Sequence, residues 1–188
     1  MYAANVHEDI EIISFEPSTS NLRILSRNIS INNLSNKIKI NQLPLSAHSN
    51  TNAIMHEPKF IEGWSMNSFG DSKDYEGKEF ISEQKYSLYG TNIDFYIENK
   101  ILKVPNYIKI DVDGIEHKIL QGAQNCLSDK KLESISIELS ENYQEQYQIV
   151  IKIMKEHNFK LKQKKHAEIF DNNNKFSKLY NFVFERKI

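Results

Sequence analysis

The stretch YIKIDVDGIEHKIL, residues 107–120, decides how the rest of the chain is arranged. Tyr107, Ile108, Ile110 and Val112 form an apolar run broken only by Lys109 and Asp111, the composition of a strand covered on both faces of a parallel sheet. Asp113-Gly114 then supplies turn chemistry, because glycine takes a positive φ without steric penalty. The apolar spacing changes at once to the helical one at Ile115, Ile119 and Leu120. In open α/β sheets the ligand crevice lies at the carboxyl ends of the strands, which predicts Asp111, Asp113 and Glu116 at the mouth of a site. The plain structural alternative is that Asp113 and Glu116 only favour the positive end of the following helix. Asp111, which interrupts an otherwise apolar strand, fits that alternative less well.

Composition bounds what surrounds this unit. The 188 residues, 39% hydrophobic and 26% charged, suffice for one sizeable core and predict a single domain over 1–188. A formal net charge of -1 gives no general attraction to nucleic acid or to an anionic membrane. The single cysteine, Cys126, cannot form an internal disulfide and points to a reducing compartment; its helical neighbours Ala123 and Leu127 predict a buried, inert thiol. No apolar run approaches the ~20 residues that cross a bilayer, and residues 1–9 lack a signal-peptide pattern, so the expected location is cytoplasmic.

Upstream, residues 1–9 read as the end of a helix, and EIISF at 11–15 as a strand stopped by Glu16-Pro17, since proline cannot extend a ladder. Ser18 and Ser20 offer caps for a helix running to about Asn32, and KIKINQLPL at 37–45 resembles a further strand. This alternation argues for a parallel sheet with right-handed crossovers. From 47 to 89 the periodicity dissolves into polar sequence carrying Phe60, Trp64, Phe69, Tyr75, Phe80 and Tyr86, an insertion expected to be a lid or substrate loop with a short strand or two. Residues 92–102 read as a short helix leading into the decisive strand. Downstream follow a helix from Ile115 to about Leu127, a strand at 132–139 ending in Glu138, an amphipathic helix at 147–157, and alternating segments at 159–165 and 179–186 around Asp171-Asn172-Asn173-Asn174, the pattern of an antiparallel hairpin.

IISFEPSTSNLRILSRNISINNL, then YIKIDVDGIEHKILQGA, SISIEL and NFVFER together resemble the FkbM-type family of S-adenosylmethionine-dependent methyltransferases, from Ile10 to Arg186 and only weakly through the insertion. The resemblance implies an α/β, Rossmann-like class I methyltransferase fold: a mostly parallel sheet flanked by helices, closing in a C-terminal antiparallel hairpin. Against the family pattern, the first strand and its glycine-rich cofactor turn have no counterpart here, and residues 1–9 align with the helix after them. The expectation is therefore a fold truncated at its N-terminus by one central strand, binding S-adenosylmethionine poorly or not at all.

Within that resemblance, Glu16 stands where an acidic side chain accepts hydrogen bonds from the ribose hydroxyls of the cofactor, and Ser46 where the family approaches the adenine. The alternatives are an exposed acid before a turn and an unremarked polar residue at a strand end. Asp111 joins them as a cofactor-site candidate. Asp111 and Glu138, at the ends of neighbouring strands, could raise one another's pKa and serve as a base or bind a divalent cation, although no zinc or EF-hand spacing is present. Asp113 and His117 are the candidate catalytic bases for removing a proton from an acceptor hydroxyl; for His117 the alternative is an ordinary surface histidine. The expected reaction is methyl transfer from S-adenosylmethionine to an oxygen of a small-molecule acceptor, a saccharide or secondary metabolite. The rival is a catalytically impaired chain that serves as a binding or assembly module.

Overall fold

The protein is described by a computed structural model covering residues 1–166, 170 and 175–187. Helix α1 (Tyr2–Val6) buries Ala4 against Ile29, Leu34 and Ile38. The Lys37 ammonium group closes its carboxyl end, donating to the carbonyls of Ala4 and His7 at 3.0 and 2.9 Å. Strand β1 (Ile12–Phe15) stops at Pro17, and Ser18 caps α2 (Thr19–Ile31) by accepting from the Asn21 N–H. β2 (Ile38–Asn41) runs parallel to β1.

The insertion is more ordered than its sequence suggests. β3 (Thr51–Glu57), β4 (Ser68–Phe69) and β5 (Gln84–Gly90) form an antiparallel sheet in the order β4-β3-β5, with Met55, Phe69 and Ile115 as its core. Tyr86 and Leu88 alternate with Lys85 and Ser87 along β5, a period of two that polar flanks obscure in the sequence.

Helix α3 (Ile93–Glu98), capped by Asn92, leads to β6 (Tyr107–Ile110). The predicted turn follows: Asp113 and Gly114 both take positive φ, at 60° and 125°, and a Cβ on Gly114 would lie 2.5 Å from the Asp74 carbonyl oxygen. The single helix expected to Leu127 is two, α4 (Glu116–Gln121) and α5 (Gln124–Ser128). The break has two causes. The backbone of Ser46 approaches Gly122 so closely that a Cβ there would meet its carbonyl at 2.2 Å, and the Asp94 carboxylate accepts from the N–H groups of Asn125 and Cys126, starting α5 anew.

β7 (Ser134–Ser140) runs parallel to β6, α6 (Gln144–Glu156) crosses over, and β8 (Phe159–Lys165) and β9 (Leu179–Arg186) complete a sheet in the order β6-β7-β9-β8. The last two strands are antiparallel, as the alternation predicts; the connecting Asp171–Asn174 turn lies outside the described residues. Ile110, Leu120, Leu127, Ile135, Ile137 and Phe182 form the centre of the main core, and the Cys126 thiol is buried with them, its pKa pushed up to about 12 by desolvation.

One expectation is corrected. The strands around Ile12, Ile40, Ile110 and Ile137 do not share one hydrogen-bonded sheet; β1-β2 and β6-β7-β9-β8 are separate. Among the described residues no strand pairs with the second edge of β1 or of β6, so no ladder joins the two parallel pairs. In the class I methyltransferase expectation, that position belongs to the first strand.

Candidate functional site

Acidic side chains gather at the carboxyl ends of the parallel strands. Ile110 and Ile137 are register partners, so Asp111 and Glu138, the next residues along, stand side by side. The pKa of Glu138 is pushed up to about 8, by burial first and the Asp111 charge beside it second. Asn181 donates to Glu138 from β9 at 3.4 Å, and Lys109 pairs with Asp111 on the exposed side. Asp113 is also held above the usual carboxylate range, chiefly by burial, although it accepts a 2.6 Å hydrogen bond from the Met66 N–H. These three carboxyls are the cluster the sequence reading anticipates.

Asp111 does not cap the helix. No side-chain cap is present on α4; the turn before it is held by Glu116, only 2% exposed, whose carboxyl accepts from the backbone N–H groups of Val112 and Gly114 and from Gln146 Nε2 at 2.7 Å. Burial raises its pKa to about 7 against those hydrogen bonds. His117 belongs to this second group, with Nδ1 3.3 Å from Gln146 Nε2 and its ring edge-on to Tyr143. Desolvation lowers its pKa, so its neutral form is favoured. The sequence reading places Glu116 at the turn but not its burial; nothing in a single sequence marks Gln146, 30 residues on, as its partner.

Glu16 ends β1. Its carboxyl accepts from the Ser18 N–H at 2.9 Å, and burial, with the nearby charge of Glu57, raises its pKa. Glu57 itself was not legible as a site residue, since it sits in the polar insertion. Its side chain is fully buried; Oε1 accepts from the Tyr86 hydroxyl at 2.7 Å and Oε2 has no hydrogen-bond partner. The same Tyr86 oxygen accepts from the Thr19 N–H, which ties Glu57 to the start of α2. Ser46 lies apart from these acids, its N–H bonded to the Thr91 carbonyl and its own carbonyl against Gly122.

The insertion links the two halves of the crevice. Asn21, on the first turn of α2, accepts from the Gly63 N–H and donates to the Trp64 carbonyl; two residues later Met66 donates to Asp113. The loop between β3 and β4 thus spans from the end of β1 to the end of β6. Beyond it, Lys118 pairs with Asp71 and Asn142 donates to Glu76, fastening the β4–β5 segment over the turn after β6. Shallow depressions of about 280 Å³, beside Gln121 and Ile153, and about 370 Å³, beside His56 and Lys73, touch none of the strand-end carboxyls. Among the described residues no three His, Cys, Asp or Glu side chains are arranged to hold a metal ion, so Asp111 and Glu138 do not complete such a set. No described helix is long and apolar enough to cross a membrane.

The sequence profile described as the methyltransferase FkbM domain matches residues 2–161. A crystal structure of an FkbM methyltransferase from Methylobacillus flagellatus KT is similar at 15% identity with a TM-score of 0.55, covering 93% of this chain and 36% of that one. A provisionally named rRNA methylase from Clostridium thermocellum is similar at 9% identity and a TM-score of 0.50, covering 97% of this chain and 75% of that one. The chain thus spans little more than a third of the first structure's length. These likenesses show the class I methyltransferase-like α/β fold. No curated protein matches the chain significantly.

Proposed function

Since the chain belongs to the FkbM methyltransferase domain family, we propose that it acts in methyl transfer from S-adenosylmethionine to a hydroxyl oxygen of a small acceptor, with a saccharide as the expected class. The observation that carries this reading is the placement of Glu16 at the carboxyl end of β1, with Asp111, Asp113 and Glu138 at the ends of β6 and β7. One loop bridges the two groups. Glu16 keeps a carboxyl oxygen for a ribose hydroxyl while the other accepts from Ser18.

The residues fit the nucleoside end of the cofactor. For its methionine end, none of the described glycines lies in a strand-to-helix turn at β1, so no step is assigned to that end. When bound, the cofactor supplies an electrophilic methyl group. The chain's own residues would position the acceptor and receive its proton. Asp113 and the Asp111–Glu138 pair are poised for this, because burial holds Asp113 and Glu138 at raised pKa values and a carboxylate of higher pKa is the better proton acceptor. His117, lodged against Gln146 and Tyr143, supports the turn that carries Asp113. Binding of S-adenosylhomocysteine, read by calorimetry on wild type and Glu16→Gln, tests the reading. A loss of ~10-fold or more in the variant is expected, the scale of a hydrogen bond to a charged group. Equal affinity would remove Glu16 from the site.

A second reading, a binding or assembly module without turnover, is favoured by the separation of β1-β2 from β6-β7. A methylation assay over candidate acceptors discriminates it, since such a module would bind without transferring.

A further inference from the structure

Glu57 has the burial of a core residue and the chemistry of a binding residue. It is fully buried at the end of β3, yet Oε2 has no partner. Residues at the start of β4, next to the end of β3, repeat the condition: Asn67 Oδ1, just before β4, and Ser68 Oγ, on the register partner of His56, are buried without partners, and so is Trp64 Nε1 in the loop that reaches Asp113. Buried polar groups in native folds are nearly always satisfied, so several orphans in one neighbourhood indicate a ligand's place.

Their types define that ligand. Glu57 Oε2 and Asn67 Oδ1 only accept, Ser68 Oγ does either, and Trp64 Nε1 donates. Glu16, reached from Glu57 through Tyr86 and the Thr19 N–H, adds a further acceptor. Two carboxyl groups repel phosphate and carboxylate ligands and call for a donor-rich neutral one.

We infer that Glu57 is a hydroxyl-binding residue of the crevice: with Glu16 it receives a vicinal diol, the unit shared by the ribose of a nucleoside and by a saccharide ring. Tyr86 is the positioning residue, since its hydroxyl occupies Oε1 and leaves Oε2 to the ligand. The inference deepens the methyltransferase reading and rests on it, because it assigns an insertion residue to the same site.

The experiment measures binding of adenosine, 2′,3′-dideoxyadenosine and methyl α-glucopyranoside to wild type, Glu57→Gln, Tyr86→Phe and Glu16→Gln by calorimetry, with melting curves to confirm folding. If the ribose is the source, Glu57→Gln weakens adenosine by ~10-fold or more and leaves the weaker dideoxyadenosine unchanged. If the saccharide is the source, Glu57→Gln weakens the glucoside alone. Tyr86→Phe lowers the same affinity by a smaller factor, and carries the test should Glu57→Gln fail to fold. Adenosine binding lost in Glu16→Gln, with adenosine and glucoside binding both untouched in Glu57→Gln and Tyr86→Phe, overturns the inference and leaves the methyltransferase reading standing. Absence of binding by all three probes to wild type overturns both.

Discussion

Asp113 Oδ2 accepts a 2.6 Å hydrogen bond from the backbone N–H of Met66, which ties the turn that ends β6 to a loop 47 residues earlier. Met66 has φ 69°, a conformation that costs a non-glycine residue energy and persists only where neighbours hold it. Asp113 is one such neighbour. Asp113→Ala is expected to speed hydrogen exchange at the Met66 amide and to lower stability by about 1 to 3 kcal/mol, the range for losing a hydrogen bond to a charged group. Asp113→Asn, whose side-chain carbonyl still accepts, should leave that amide protected. Equal protection in both variants would show that the loop is held by Asn21 alone.

Ile110 is 4% exposed, at the end of β6 and within the main core. Ile110→Ala should cost about 2 to 5 kcal/mol in a denaturant titration, as large-to-small substitutions in close-packed cores do. A cost below ~1 kcal/mol would show that β6 is peripheral and that its unpaired edge leaves the strand loose.

The parts of this structure legible in the sequence are those written in local chemistry. Asp113-Gly114 announces its turn because only a few residue types accept positive φ, and the period-two pattern at residues 179–186 announces its strand. The continuous helix to Leu127 fails for a non-local reason, the approach of Ser46 to Gly122, and residue periodicity carries no record of a partner 76 positions away. Glu16, Asp111 and Glu138 are visible because strand ends in α/β sheets face one side. Glu57 is not, because its burial depends on pairing between β3 and β5 inside a stretch whose composition reads as loop.

Burial raises the Glu116 pKa from 4.5 to about 7. The folded state therefore holds a proton that the unfolded chain releases, and this contribution to stability is fully present below about pH 4.5 and lost as pH rises through about 7. Its full size is on the order of 3 kcal/mol. His56, His117 and His157, whose pKa values burial lowers, act in the opposite direction, so the slope for wild type alone mixes both. The diagnostic is the difference between wild type and Glu116→Gln in urea titrations from pH 5 to 8. Wild type should lead at pH 5, because the amide keeps one accepting oxygen where Val112 and Gln146 donate to different carboxyl oxygens, and its lead should shrink towards pH 8. A constant difference would mean that Glu116 does not titrate in this window.

The nucleoside end of the proposed cofactor finds Glu16, while no described glycine turn meets the methionine end. S-adenosylmethionine should therefore bind this 188-residue chain weakly and gain less than ~10-fold over adenosine. Calorimetry with both ligands decides it; micromolar binding of S-adenosylmethionine alongside feeble adenosine binding would place the recognition at the methionine end instead.

The Asp111–Glu138 pair gives the sharpest separation of scaffold from chemistry. Asp111 caps no helix, since the turn is held by Glu116, and its exposed pairing with Lys109 is of the kind that contributes ~1 kcal/mol or less. Asp111→Asn should accordingly leave the melting temperature nearly unchanged. What it removes is a charge beside Glu138, whose pKa of about 8 should fall towards the ordinary carboxylate range, visible in a carbon-detected NMR titration of the Glu138 carboxyl. In a methylation assay with an accepted substrate, the same variant should lose turnover by ~10²-fold or more if the pair receives the acceptor proton. A stability loss of ~0.5 to 2 kcal/mol, the range for a lost cap, together with an unmoved Glu138 titration, would return Asp111 to a structural role. The proton would then fall to Asp113, the remaining half-buried carboxyl at that strand end.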